Sequence, residues 1–312
     1  MESNFYKSNT WKKNAINSKN FKAVGIHNFH NFKTISGLYE YPSPFIYNKS
    51  IQPSNFGKLR VFFQKIFKFQ KINTLKKKLK NLYDKLPSDI KIFLPESKHE
   101  HGSFLSLTHK RKKYKVNGVY IKCAEQAYNL KKSVKNLLNL SILEIGGGYG
   151  VMAEIMMGLG IKNYFICDLD ETLDLAELYL KNFTDYDIIR INSHKDFNKL
   201  KLYSSFGTIF LCDVKNYLSL DKNIKFDIVI NSCSFCEMNK EMLDKYLDII
   251  SKYSNAVISC SNKNRTEGDH KYSHDFWKND KRFNLEKIYE FNDKNYESKN
   301  INIPQYIIRT KY

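Results

Sequence analysis

Long apolar runs, a spaced cysteine framework and internal repeats are all missing from this 312-residue sequence. No stretch approaches the ~18 apolar residues of a membrane-spanning helix, so no transmembrane segment is expected. The six cysteines, Cys123, Cys167, Cys212, Cys233, Cys236 and Cys260, follow no disulfide spacing. Four of them lie in or beside apolar runs, where a reduced thiol packs as a small apolar side chain. The start Met1-Glu2-Ser3-Asn4 lacks the basic-then-apolar order of a secretory signal. A cytoplasmic location is the expectation. Acidic residues are also in short supply, 32 against 51 Lys and Arg, for a formal net charge of +19. That balance brings nucleic acid or an anionic surface into consideration as a partner. The cations are mostly Lys in the company of Asn, Ile and Tyr, however, which AT-biased codon choice also produces.

What is present is enough for a substantial core. Hydrophobic residues make up 42% of the chain, with 22 Phe and 21 Tyr, which excludes disorder for the chain as a whole. The length fits one catalytic domain with an accessory region better than two equal domains. Residues 1–58 read as an irregular leader punctuated by Pro42, Pro44 and Pro53. Within it, His27-Asn28-Phe29-His30-Asn31-Phe32 has no Cys or carboxylate at ligand spacing, and no metal site is expected. Residues 59–138 read as a helical accessory region. Leu59, Phe62, Ile66, Phe69, Ile72, Leu75, Leu79, Leu82 and Leu86 share one helical face opposite a Lys-crowded one. Such a helix can lie on an anionic membrane or cover a core or partner; Pro87 ends it. A loop with His99 and His101, a basic stretch from His109 to Lys115 and a helix over 121–138 follow.

From Ser141 the pattern changes to short apolar runs alternating with helical stretches, the signature of a parallel α/β sheet. Strands are expected at 141–145, 164–167, 208–212, 227–231 and 256–260, with helices at 151–159, 171–183 and 239–250. An inserted stretch fills 184–207, and 285–291 with 305–310 forms an antiparallel pair. The first strand runs straight into Gly146-Gly147-Gly148-Tyr149-Gly150 and a helix, which sets the glycines at a strand's carboxyl end, where open α/β sheets bind ligands. Asp168 ends the next strand, 24 residues after Glu144, placed to accept both hydroxyls of a ribose. The third glycine falls at 150, whereas the dinucleotide pattern G-x-G-x-x-G would need it at Val151. No pyrophosphate fingerprint is complete.

Residues 141–260 resemble the class I S-adenosylmethionine-dependent methyltransferases. Within that class they resemble the sugar O-methyltransferases of bacterial polysaccharide and antibiotic gene clusters. The resemblance rests on Leu143-Glu144-Ile145-Gly146-Gly147-Gly148-Tyr149-Gly150, on Asp168-Leu169-Asp170-Glu171-Thr172 with Ala176-Glu177-Leu178-Tyr179-Leu180, and on the run from Phe226 to Met238. A proline is usual where Asp170 stands, and a polar residue is commoner at Cys236. The resemblance implies a Rossmann-like doubly wound sheet over 139–312, mostly parallel with an antiparallel C-terminal strand, beside the mainly helical N-terminal region. It implies S-adenosyl-L-methionine as cofactor. Glu144 would then steady the glycine loop and the cofactor's amino end, Gly146, Gly148 and Gly150 would pass beneath it, and Asp168 with Leu169 would hold the ribose. Asp213 would face adenine, or else serve as a strand-end turn residue. Asn231 and Ser232 would border the methionine part.

Methyl transfer to a hydroxyl also needs a base. Glu237, just past the fourth strand, is one candidate, with a role at the N-terminus of the next helix as its structural rival. His101 is the other, ahead of His99, His270 and His274, and Arg265 is a candidate for an anionic group on the acceptor. Cys233-Ser234-Phe235-Cys236 is formally C-x-x-C but has no second pair for zinc. The resemblance implies metal-independent O-methylation of a nucleotide-linked or surface-glycan sugar, with Glu237 or a loop histidine as base. Two alternatives stand beside it: an RNA methyltransferase, suggested by the +19 charge, and a non-catalytic adaptor binding through 59–86. No Asn-Pro-Pro-Tyr motif follows the fourth strand, which weighs against nucleobase amines.

Overall fold

The computed structural model describes residues 80–96 apart from 82 and 85, then 105–109, 112–116, 118–193, 196, 207–219, 224–261, 274–289 and 304–311. The leader 1–58, most of the predicted helix at 59–86, His99, His101, Arg265 and His270 lie outside the described residues. Residues 80, 81, 83 and 84 are helical, and Pro87 closes that stretch by capping the four-residue α1 (Ser88–Lys91). Next come β1 (Leu105–His109) and β2 (Lys112–Val116), then α2 (Gly118–Ser133), β3 (Ile142–Ile145), α3 (Val151–Gly158), β4 (Asn163–Asp168) and α4 (Asp170–Phe183). The chain continues through β5 (Asp187–Ile191), β6 (Thr208–Asp213), α5 (Val214–Leu218), β7 (Ile228–Ser232), α6 (Lys240–Ile250), β8 (Val257–Ser261), α7 (His274–Asn279), β9 (Phe283–Tyr289) and β10 (Gln305–Thr310).

Eight strands form one sheet in the order β5-β6-β4-β3-β7-β8-β10-β9. All pairs from β5 to β8 are parallel, and β10 runs antiparallel between β8 and β9. This is the expected doubly wound α/β architecture. After β3 the chain builds first to one side, through β4, and later to the other, through β7. The reversal makes the carboxyl ends of β3 and β7 the topological switch point, where such sheets hold ligands.

Side chains alternate between the two faces, as a pleated strand requires. Ile142, Tyr164, Ile166, Ile228 and Ile230 join the core under α2, α3 and α4, while Leu143, Ile145, Phe165, Cys167 and Val229 join the core under α5, α6 and α7. Burial on both faces explains why these strands read as continuous apolar runs. Tyr120, Ile121, Ala124, Ala127 and Leu130 of α2 are all buried in the first core. A polar clasp adds to this: Tyr120 donates to Glu154 Oε2 at 2.7 Å, and Tyr179 donates to the same oxygen at 2.8 Å. A second clasp is Gln126, whose Nε2 donates to the carbonyls of Asn231 and Ser259 at 3.3 Å.

Two elements depart from the sequence expectation. Within the basic stretch 109–115, His109 ends β1 and residues 112–115 belong to β2, which pairs antiparallel with it. In Lys112-Lys113-Tyr114-Lys115-Val116 only Tyr114 and Val116 are apolar, too few to reveal a period of two. The inserted stretch 184–207 carries β5, a strand at the sheet edge. Arg190 of β5 pairs with Asp170 and approaches Asp174 at 3.5 Å and Glu177 at 3.8 Å, all on α4. Asp170, which stands where the resembled family has proline, thus anchors the extra strand and favourably opens a helix with negative charge.

Candidate functional site

The glycine loop leaves β3 with φ of +75° at Gly146 and +58° at Gly148. At Gly146 a Cβ would overlap the Ser234 side chain. The Gly146 N–H donates to the Cys167 carbonyl at 2.8 Å, which pins the turn to β4. At Gly148 a Cβ would meet none of the described residues within 4 Å. The loop therefore turns in a left-handed conformation that glycine adopts without cost, and it presents bare backbone to open space.

Two acids lie beneath it. Asp168 Oδ2 accepts from the Gly148 N–H at 2.9 Å and its Oδ1 from the Leu169 N–H at 2.7 Å. Glu144 Oε2 accepts from the Tyr164 hydroxyl at 3.1 Å and would sit 2.9 Å from a Cβ at Gly147. Both carboxyls are buried, at 2% exposure for Glu144 and 6% for Asp168. Burial pushes Glu144 up to about 8, against the pull of the Tyr164 hydrogen bond and with the Asp168 charge adding to the rise. Burial likewise pushes Asp168 up to about 7, opposed by its backbone hydrogen bonds and reinforced by the charge of Glu237. Neither acid forms an ion pair among the described residues. A cationic ligand with hydroxyl donors matches such a pair.

The remaining candidates fall around this pair. Asp213 ends β6 in register with Asp168. Its Oδ1 caps α5 by accepting from the Lys215 N–H at 2.8 Å, so the turn reading accounts for one carboxylate oxygen. The Leu169 side chain packs in the core beside Phe165 and Phe210. Asn231 is fully buried; its Nδ2 donates to the Ile145 carbonyl at 2.7 Å, and its Oδ1 accepts from the Phe235 N–H at 3.2 Å. It ties β7 to the root of the glycine loop. The Ser232 hydroxyl donates to Gln126 Oε1. Glu237 closes a short 3-10 turn, Phe235–Glu237, within electrostatic reach of Asp168. The cap of α6 is Asn239, whose side chain accepts from the Met242 N–H at 2.8 Å, so the rival role for Glu237 falls to another residue. His274 opens α7.

Ser234, Tyr164, Gln126 and Lys122 also belong to this region and were not among the sequence candidates. Ser234 fills the space that glycine leaves at 146, and its hydroxyl donates to the Ile145 carbonyl at 2.9 Å. Tyr164 reaches Glu144 because alternation puts both on one sheet face. Gln126 and Lys122 come from a helix preceding the first strand of the sheet, and no local spacing marks them. The C-x-x-C segment is a turn in which Cys236 Sγ donates to the Cys233 carbonyl at 3.1 Å. Among the described residues no group of three or more His, Cys, Asp or Glu is placed to hold a metal ion, and no helix is long and apolar enough to cross a membrane.

No protein-family model and no curated protein matches the sequence. Among solved structures, the chain is similar to magnesium protoporphyrin IX methyltransferase from Synechocystis PCC 6803 with bound SAM, at 14% identity over 62% of this chain and 80% of that one, TM-score 0.41. It is also similar to an S-adenosylmethionine-dependent methyltransferase from Clostridium acetobutylicum ATCC 824, at 16% identity over 59% and 90%, TM-score 0.41. A third similar structure is a candidate RNA methyltransferase from Pyrococcus horikoshii, at 16% identity over 75% and 97%, TM-score 0.41. At these identities and TM-scores the likeness leaves function and acceptor open.

Proposed function

We propose that this chain is an S-adenosylmethionine-dependent O-methyltransferase whose acceptor is a hydroxyl of a nucleotide-linked or glycan sugar. One observation carries the cofactor: Glu144 and Asp168, buried with no ion pair among the described residues, lie below a bare glycine loop at the switch point of the sheet. S-adenosylmethionine brings a ribose diol, an ammonium group and a sulfonium, and supplies a methyl group already activated for transfer. Asp168 accepts the ribose hydroxyls, and Glu144 holds the loop and offsets positive charge at the amino end. Gly148 leaves room for close approach, while Gly146 and Gly150 let the loop turn against Ser234 and Leu180; Asp213 and Ser232 form the walls, with the buried Leu169 and Asn231 supporting them. Holding the acceptor oxygen in line with the methyl carbon accounts for much of the rate. Glu237 would take the hydroxyl proton as the C–O bond forms and the sulfonium S–CH3 bond breaks to leave S-adenosylhomocysteine, a contribution of roughly 10²- to 10⁴-fold; His101 is the alternative base. In this reading 139–312 is the catalytic unit, and 59–138 is an accessory region whose α2 shares its core.

The sugar rests on the three-segment resemblance. Incubating the protein with labelled S-adenosylmethionine and a panel of nucleotide sugars and cell-surface glycans, read by mass spectrometry, should show a gain of one methyl group on a sugar. The +19 charge favours a second reading, RNA as acceptor, in which affinity would fall steeply with salt. Methylation of RNA and of no sugar would decide for it, and failure to bind the cofactor would revive the adaptor.

The raised acids predict a pH dependence. The folded apo chain keeps protons on Glu144 and Asp168 that an unfolded chain releases near its ordinary carboxyl values. Their contribution to stability is therefore full at acid pH and is lost as pH rises through about 7 to 8. A bound cation reverses the balance by favouring the ionised acids. The thermal shift induced by S-adenosylmethionine should grow between pH ~5.5 and ~8.5, with proton release detectable in buffers of different ionisation enthalpy. A shift that is flat across that window in the wild type, or equally steep in Glu144→Gln, would contradict the assignment.

A further inference from the structure

On the α2 side of the switch point, Lys122 donates from Nζ to Cys233 Sγ at 2.7 Å. Cys233 lies just past β7 with φ of +67°, a left-handed conformation rare for a side-chain-bearing residue, and its N–H donates to the Ser261 carbonyl at 2.7 Å. Lys122 stands one helical turn before Gln126, and Gln126 touches Ser259. Ser261 stands two residues after Ser259 and so on the same face, one step nearer the carboxyl edge. Lys122 and Ser261 thus share a layer above the Gln126 clasp. Ser261 is fully buried, and its Oγ has no hydrogen-bond partner among the described residues.

An ammonium has three N–H donors and no acceptor. Among the described residues Lys122 commits one of them, to a thiol. Burial pulls its proton affinity down, but the neighbouring Cys233 sulfur more than offsets this, so Lys122 stays protonated. A half-buried cation with no acid partner among the described residues, in the same layer as a buried hydroxyl that none of them satisfies, is stabilised by an anion that accepts from both. The next residue, Ser234, packs against Gly146, so this layer is continuous with the glycine loop and lies on the β7 and β8 side of it.

We propose that Lys122 and Ser261 form an oxyanion subsite at the carboxyl ends of β7 and β8 that grips the acceptor. The inference rests on the methyl-transfer reading and narrows its substrate class to sugars carrying a phosphate or carboxylate group. A diphosphate linkage and a uronate carboxylate offer the same acceptor oxygens. Lys122 serves as a point charge for either, with Ser261 donating its hydroxyl proton to a second oxygen. The anion holds the sugar beside the glycine loop, with its free hydroxyls toward the methyl donor.

The test is calorimetric titration of the full chain, first with S-adenosylhomocysteine and then, on the saturated protein, with uridine diphosphate or with glucuronate. Wild type should bind at least one of the two anions, and the arm that binds identifies the source. Lys122→Met should weaken that binding at least tenfold and Lys122→Arg much less, while affinity for S-adenosylhomocysteine changes less than twofold. Ser261→Ala should weaken the anion by a smaller factor. Failure of wild type to bind either anion, or equal anion affinity in wild type and Lys122→Met, overturns the subsite; so does tight binding of an RNA oligomer alone. Failure to bind S-adenosylhomocysteine overturns the underlying reading instead. Retained binding by Lys122→Arg separates anion recognition from a folding defect.

Discussion

Replacing Asp168 by Ala should abolish measurable binding of S-adenosylmethionine while leaving the chain folded. A hydrogen bond to a charged group is worth about 1.5–3 kcal/mol, so losing two ribose hydroxyl contacts raises the dissociation constant by roughly 10²- to 10⁴-fold. The effect on the apo fold is smaller, because two contributions oppose each other. The substitution frees the Gly148 and Leu169 N–H groups that the carboxylate now accepts at 2.9 and 2.7 Å, which destabilises the loop. It also removes an acid whose proton affinity burial has raised to about 7. Asp168→Asn should fall between the two, since its single carbonyl oxygen can accept from only one of those N–H groups. Calorimetric titration with parallel thermal melts checks all three, and undiminished affinity in the Ala variant would rule out the cofactor assignment.

The glycine loop provides a second large effect and separates architecture from binding. In Gly146→Ala the new Cβ overlaps Ser234, whose hydroxyl bonds the Ile145 carbonyl and is also held by Asn231. Neither neighbour has room to give way, and the left-handed backbone adds about 1–2 kcal/mol. A destabilisation of roughly 4 kcal/mol is expected, a fall in Tm on the order of 10 °C. Gly148→Ala meets none of the described residues within 4 Å and bears only the backbone cost. Its Tm should drop by only about 3–6 °C, yet its methyl group projects where the cofactor must pass, and affinity should fall at least tenfold. Wild-type affinity in Gly148→Ala would mean that the open space above the loop is not the binding surface.

The centre of the sheet was legible in the sequence because its strands are buried on both faces. Runs such as Ile142–Ile145 and Ile228–Ser232 are rich in β-branched residues, broken only by Glu144 in the first and by Asn231 and Ser232 at the end of the second, and turns bound them. The glycine loop and Asp168 were legible for a related reason: ligand sites at strand ends are local in sequence. What escaped lies at the margins. The edge strand β5 is only half-buried, and the Lys-rich β2 shows two apolar residues where a strand pattern needs more. Asp213 and Asn231 were placed correctly at strand ends, but their hydrogen bonds could not be foreseen. Asp213 caps a helix, and Asn231 spends its amide on the neighbouring strand. Glu237 shows the converse. The cap of the following helix is Asn239, two residues on, and the charge of Glu237 reaches Asp168. Lys122 and Gln126 had no signature, because their partners stand more than 100 residues away.

The clasp at Gln126 also bears on how the chain acquires its native state. The Gln126 amide bonds groups 105 and 133 residues distant, and Gln305 of β10 reaches back to the Gln126 carbonyl across 179. β10 inserts between β8 and β9, so the sheet beyond β7 is not complete until the last of the described strands has docked. Contacts of such sequence separation form slowly, since loop closure must precede any gain from them. The acceptor side of the site is therefore expected to assemble last. Until then the unpaired edge of β8 is exposed to association with other chains, so the interval between release of 257–261 and docking of 305–310 is the vulnerable stage of folding.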